Sequence, residues 1–324
     1  MSHLKIGFSI GSLLKPKEVL EFSSLIDEKE NTHSIWTPES WGKEAFSMLG
    51  AISQVTKKVK IGTSIINIYS RTPATIAMGA ISIDNLSNNR MIIGLGASTP
   101  AIIENLHGLK FQYPINRMKE YIESLRLLLK TNEKTKYEGK IVRINNFAIL
   151  EKSRSQIPIY IAAINKKMIQ IGLQHADGLL LYLRPYSDIK NVIEQIKNKK
   201  NFSKSLILIA SVSNKEPNKA KERVAKTLAF YIAVGKIYYK FLLNTEYKVE
   251  VEEIFKEYHN HGLERASQTV PSKMLEDFTI YGSVNDCKNQ IKKFIETGID
   301  VPILQINPII NSKGELDYKD FLDL

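Results

Sequence analysis

Polar and small residues gather in this chain at the points where apolar runs break off. Ser9 closes one run. Glu39 and Ser40 follow a second, Ser64 and Asn67 close a third, and Ala97, Ser98 and Thr99 follow a fourth. A fifth passes through Ala162, Ala163, Ile164 and Asn165 into Lys166 and Lys167. Strands look like this when their carboxyl ends line a site. Glu39 is a carboxylate at such an end, suited to holding a ligand or a proton. The A-A-I-N-K-K-M turn offers other chemistry, because backbone N–H groups at a helix start bind anions. Lys166 or Lys167 could add a charge there, and a solvated helix start is the alternative. Metal chemistry is not indicated. His107, His175, His259 and His261 fall on predicted helices or insertions, at no metal-ligand spacing. The single cysteine, Cys287, leaves no disulfide framework or cysteine zinc cluster and fits a reducing cytoplasm.

Eight apolar runs read as strands: Leu4–Ile10, Ser34–Thr37, Val59–Ile66, Arg90–Gly96, Ile157–Ala163, Gly178–Tyr182, Leu206–Val212 and Val301–Asn307. Nearly all are continuous, as in parallel strands buried on both faces. Helical patterns lie between them, at Lys17–Lys29, Glu44–Val55, Ala74–Leu86, Met118–Leu129, Met168–His175 and Asp188–Lys199. This alternation predicts an α/β fold of the (β/α)8 TIM-barrel type, with its active site at the strand carboxyl ends. Two stretches interrupt it. Residues 97–150 carry a helix and a hairpin through Tyr137–Lys140, and residues 220–280 form a mainly helical insertion between strands 7 and 8. The insertion includes the aromatic run A-F-Y-I-A-V-G-K-I-Y-Y-K-F, which suits a subunit contact. No linker divides the chain, so one domain is expected over 1–324.

The 324 residues carry a net charge of +11. The lysines are dispersed, with the longest cluster at Lys197–Lys200, and no arginine-rich arm or aromatic-interleaved basic run marks a nucleic-acid surface. A solvated lysine-rich surface is expected, or basic rims that focus an acidic small molecule. The N-terminal segment lacks a long apolar core and no 18-residue apolar run occurs, so neither a signal peptide nor a membrane span is expected.

The motif order resembles the bacterial-luciferase-like superfamily, in its branch that uses the deazaflavin coenzyme F420. The carriers are Trp36–Glu39 as W-x-x-[DE], N-I-Y-S-R-T-P from Asn67, G-L-G at Gly94–Gly96, and I-P-I-Y-I-A-A-I-N-K-K-M followed by H-A-D-G. The segment I-Y-G-S-V-N-D resembles the family's last helix start, with Ser283 as N-cap and Asp286 beside it. A-F-Y-I-A-V-G and H-G-L-K-F are most similar to the methylenetetrahydromethanopterin reductase branch.

The resemblance implies a cytoplasmic oxidoreductase that binds F420, moves hydride to or from a small organic substrate, and assembles as a homodimer or tetramer. It implies a cis peptide at Ser64–Ile65, beneath the cofactor. It places the cofactor against Glu39, Ser64, Ile65, Asn67, Ala97, Ser98 and Ala162, and its phosphate at Ala163, Ile164, Asn165 and Lys167. The acid/base positions of the family fall on Ser9, Glu39, Ser40 and Thr99, and three of these lack the usual acid or histidine. Hydride transfer itself needs no protein acid, because the cofactor carries that chemistry. An FMN-dependent monooxygenase of the same superfamily, and a binding homologue without activity, are the alternatives.

Overall fold

The computed structural model describes residues 5–40, 42–130, 132–151, 154, 156–197 and 199–324. In chain order, β1 is Ile6–Ser9, α1 Pro16–Asp27, β2 Thr32–Thr37, α2 Ala45–Val55, β3 Lys60–Thr63, β4 Ile66–Asn67 and α3 Pro73–Leu86. Next come β5 Met91–Gly96, α4 Pro114–Lys130, β6 Thr135–Glu138, β7 Arg143–Phe147, β8 Ile159–Ala162, α5 Lys166–His175 and β9 Gly178–Tyr182. Then follow α6 Tyr186–Ile196, β10 Ser203–Val212, α7 Pro217–Val234, α8 Lys236–Leu242 and α9 Lys248–Gln268. The last are α10 Ser272–Phe278, β11 Thr279–Gly282, α11 Val284–Ile295 and β12 Val301–Ile306.

These elements form two compact units. The first comprises 10–180 and 201–203; the second comprises the residues up to 9, 181–200 and 204–324. In the first, β2, β3, β5, β8 and the start of β9 pair in parallel, with Thr37 beside Thr63, Ile61 beside Met91, Leu95 beside Ile161 and Ala162 beside Leu180. All six residues of β5 are buried, which is why the run shows no alternation. The run expected as one strand over Val59–Ile66 is two, β3 and β4, separated at Ser64–Ile65, where the peptide bond is cis. Helix starts are written locally. Thr72 Oγ1 accepts from Thr75 N at 3.2 Å, with Pro73 at the first helical position. The expected hairpin is present as antiparallel β6 and β7, its turn held by Glu120, which accepts from the amides of Lys140, Ile141 and Val142.

In the second unit β12 lies between β1 and β10, and β11 joins the far side of β10. Helices α7 to α10 occupy most of 217–278, and the segment that follows begins with a strand. Thr279–Gly282 pairs with Ile209–Val212 before Ser283 caps α11, where Asp286 N donates to Ser283 Oγ at 3.2 Å. Four residues ahead of a strong N-cap carry too little periodicity to announce a strand. The aromatic run is partly turned inward. Tyr231, Tyr238, Tyr239 and Phe241 pack on a core built from Val224, Leu228, Ile232, Val251 and Ile254.

Candidate functional site

Parallel pairing brings the carboxyl ends of β2, β4, β5 and β8 to one edge of the first unit. Asn67 pairs with Gly96, and Ile161, one residue before Ala162, pairs with Leu95. Glu39, Ser40, Ser64, Ile65, Asn67, Ala97–Thr99 and Ala162–Lys167 therefore belong to strand ends of that unit. Ser9 ends β1 in the other unit, where it is 3% exposed and pairs with Gln305.

Glu39 is the most heavily engaged of these residues. Its amide donates to Ile65 O at 3.2 Å, and Ser64 N donates to Thr37 O at 3.0 Å, which ties the second strand end to the third. Its carboxylate accepts from Arg71 Nε at 3.1 Å, from Arg71 Nη2 at 2.8 Å and from Ala45 N at 3.1 Å. Arg71 also pairs with Glu44, the N-cap of α2, whose carboxylate accepts from the amides of Phe46 and Ser47. The Glu39 carboxylate beside Arg71 raises the guanidinium's pKa further. Burial pushes the Glu44 carboxyl up, but hydrogen bonds from Ser47 and Phe46 and the Arg71 charge outweigh it, and the group stays below its ordinary value. Both oxygens of Glu39 are thus already accepting, and the residue fixes the site's shape.

The N-I-Y-S-R run folds back on its own asparagine. Buried Asn67 accepts from the amides of Tyr69 and Ser70 through Oδ1, at 2.9 and 2.7 Å, and donates to Ser70 Oγ at 2.8 Å. Tyr69 stacks on Phe111, lies under the Arg117 guanidinium and donates to Gln112 O at 3.0 Å; burial raises its phenol to about 12. The G-L-G of β5 has a steric cause. A Cβ on Gly94 would collide with the Thr63 carbonyl oxygen, and one on Gly96 would fall 2.5 Å from Ile65 Cγ1. Ser98 holds a left-handed φ of 59°, and Thr99 Oγ1 accepts from Ile102 N at 3.4 Å at the following helical turn.

At the end of β8, Asn165 caps α5 by accepting from Met168 N at 2.9 Å. Lys166 and Lys167 are exposed. The first-turn amides of a helix have no partner within it, so this start keeps its capacity for an anion. No chemistry was assigned to Arg71 or Lys43 from sequence. Lys43 Nζ donates to Gly11 O at 3.0 Å and Leu14 O at 2.6 Å and so holds the loop after β1. Arg71 lies inside a recognised motif, which was the available signal; Lys43 carried none. A hollow of about 630 Å³ lies away from the strand ends, beneath residues 143–151 and against Ala74, Met78 and Leu128.

The chain belongs to the luciferase-like monooxygenase family, whose profile matches residues 14–301. It is 25% identical to the 5,10-methylenetetrahydromethanopterin reductase of Archaeoglobus fulgidus over 91% of each chain. It is 21% identical to the F420-dependent glucose-6-phosphate dehydrogenase of Amycolatopsis mediterranei, over 92% of this chain and 91% of that one. The solved coenzyme F420-dependent tetrahydromethanopterin reductase of Methanopyrus kandleri is similar at a TM-score of 0.80 and 20% identity, covering 93% of both chains. That likeness shows the fold, the (β/α)8 barrel expected from the strand–helix alternation. Among the described residues no helix is long and apolar enough to cross a membrane.

Proposed function

We propose that this chain is an F420-dependent oxidoreductase that moves hydride between the deazaflavin and a small organic substrate, of the methylenetetrahydromethanopterin type. The observation that carries this is a run of small side chains beside an exposed helix start. Ala97, Ser98, Ala162 and Ala163 lie at the ends of the neighbouring strands β5 and β8, and α5 begins shortly after them with two exposed lysines. A flat ring with an acidic tail fits both features, since small side chains admit close approach and the helix start takes phosphate.

When bound, F420 supplies the hydride. Ser64, Ile65, Ala97 and Ser98 would line its ring, and Ala163, Ile164, Asn165 and Lys167 would hold its phosphate. Glu39 and Asn67 act by position, one fixing the second strand end and the other the turn that carries Arg71. Holding donor and acceptor in register is the protein's main contribution to such a reaction. Ser40 and Thr99 bring hydroxyls where the resemblance implies a histidine and an acid, so any proton step at this edge is served by a weaker donor. A single cytoplasmic domain assembled as a homo-oligomer completes the proposal.

Fluorescence titration of the full chain with F420 and, separately, with FMN is the test. Micromolar F420 affinity is the expected result. FMN binding with no F420 binding would assign the chain to the flavin-dependent monooxygenases of its family instead.

A further inference from the structure

Arg223 lies on α7 in the second unit and is partly buried, yet its guanidinium has no partner. Among the described residues it makes no hydrogen bond, ion pair or ring contact, and its Nε is cut off from solvent. Burial alone, with no neighbouring charge, pulls its pKa below the ordinary arginine value. Arg90 and Arg184 are also lowered by burial, and both are answered. Arg90 donates to the carbonyls of Ser87, Val59 and Thr56, and Arg184 pairs with Asp188 and lies over the Phe241 ring at 4.7 Å. The other cations of α7 are engaged as well: Lys219 with Glu216, Lys226 with Glu264 and Lys221 with Ser272. Glu222 is exposed, and neighbours i and i+1 do not share a helix face.

The residue belongs to a strand-end edge. Asn307 follows β12, and its amide donates to Ala210 O at 2.8 Å, so it extends the sheet alongside Ser211. Thr227 Oγ1 lies 3.1 Å from both Asn307 Oδ1 and Arg223 O, which sets the Arg223 turn of α7 against that edge. Ser211, next to last in β10, has a fully buried hydroxyl that also finds no partner among the described residues. Polarity at this edge thus exceeds what the chain's own acceptors answer. A guanidinium carries five donors and a full charge, and removing these from water without an acceptor costs stability. Stability alone would favour an uncharged side chain of similar length here. Such a group is kept where it serves a ligand.

We propose that Arg223 anchors a binding site for the carboxylate of a small organic acid, at the strand-end edge of the second unit. The planar fork of an arginine matches the two oxygens of a carboxylate. One unmatched cation calls for a single negative charge, which a carboxylate supplies and a doubly charged phosphate exceeds. Partial exposure leaves the group open to a dissolved ligand. The inference does not depend on the cofactor proposed above, whose residues belong to the first unit.

The full chain is melted in sodium chloride, sodium acetate and sodium phosphate at equal ionic strength, with tens of millimolar of each anion. Acetate should raise the midpoint by about 1–3 °C over chloride, and phosphate should raise it less. Arg223→Met removes the uncompensated charge at similar length, so it should melt about 1–4 °C above the wild type in chloride. Acetate should no longer shift it. Arg223→Lys keeps the charge but not the fork, and should retain only about half of the acetate shift. F420 titration of the same samples should give wild-type affinity in both variants. A wild-type acetate shift in either variant would overturn the site. A Met variant that melts below the wild type in chloride would make Arg223 a structural residue and overturn it too. A larger shift with phosphate than with acetate would overturn the choice of carboxylate. Loss of F420 affinity in the variants would reassign Arg223 to the cofactor's acidic tail and overturn a separate site. Failure of the wild type to bind F420, with its acetate shift intact, would instead overturn the cofactor proposal and leave this site standing.

Discussion

The strand ends of the first unit and the polar cluster of the second handle polarity in opposite ways. Around Glu39 the polar groups are charged and saturated: Arg71 lies between two carboxylates, and those carboxylates also accept amides from the start of α2. Around Tyr182 they are neutral: its hydroxyl donates to Gln305, and Gln305 reaches Tyr231. A saturated web resists movement and suits a scaffold, since each of its groups would lose a partner by turning outward.

The contrast breaks most severely at Gly94. The first unit's web depends on β3 and β5 lying close, with Thr63 Oγ1 donating to Gly94 O and accepting from Gly94 N at 2.8 and 2.9 Å. Gly94→Ala drives a methyl into the Thr63 carbonyl, a backbone atom that no rotamer change can move. The expected outcome is a loss at or beyond the upper end of the ~1–3 kcal/mol of overpacked cores. Chemical denaturation would show it, or the variant would yield no folded protein. Wild-type stability would mean the strands are not held this close.

Arg71→Ala is the next largest. It leaves Glu39, whose side chain is 11% exposed, facing Ala45 N alone, and frees Glu44 to solvent. Removing one partner of a fully buried pair costs ~3–5 kcal/mol; Arg71 is 20% exposed, so about 2–3 kcal/mol is expected. Glu39→Gln, which keeps an acceptor for both neighbours, should cost less. Equal losses would mean that the charge, and not the acceptor oxygens, is what holds the web.

Acid should separate the two regions in the same sense. Asp27, 7% exposed, accepts from the amides of Lys57, Lys58 and Val59 at the approach to β3. Burial pushes its carboxyl up, but those three amides and the Arg90 charge outweigh it and hold the pKa below its ordinary value. A group depressed in the folded state adds stability above its unfolded value, ~3.9, and loses it as pH falls through the lower folded value. Stability measured from pH 5 down to pH 2 should therefore decline, and Asp27→Asn should flatten the curve. Tyr182 and Tyr238 of the second unit add nothing to that slope, because their raised phenols are neutral throughout this range.

How much of this was visible in the sequence follows from which contacts are local. Strands buried on both faces announce themselves by continuous apolar residues, and Thr72–Pro73, Ser283 and Asn165 announce helix starts within three or four positions. The cis bond at Ser64–Ile65 came through the family resemblance and not through any feature of the two residues. The Tyr182–Gln305 bond joins residues 123 positions apart, and no local pattern encodes such a pairing. Glu39 stood out by its place, but its use by Arg71, 32 residues on, did not. The strand at Thr279–Gly282 was hidden because the helix signal that follows it is the stronger one.

The smallest effect expected is at the start of α5, and it bears on whether the first unit's edge carries a cofactor at all. Lys166 and Lys167 are exposed, and Asn165 already supplies the cap, so replacing both lysines with alanine should leave the fold intact. Solvent-exposed charges act weakly, at ~0.2–1 kcal/mol per pair, and are screened over ~8–10 Å at physiological ionic strength. F420 affinity of the double variant should thus fall by only about 2- to 10-fold at low salt. The gap should close as salt is raised, since the wild type loses the same attraction by screening. Backbone amides at the helix start, unlike the lysines, are fixed by the fold and keep most of their contribution in salt. A variant with unchanged affinity at low salt would remove the lysines from the phosphate site while leaving the helix start in it. A loss that persisted in high salt would mean that the substitutions had disturbed the turn itself.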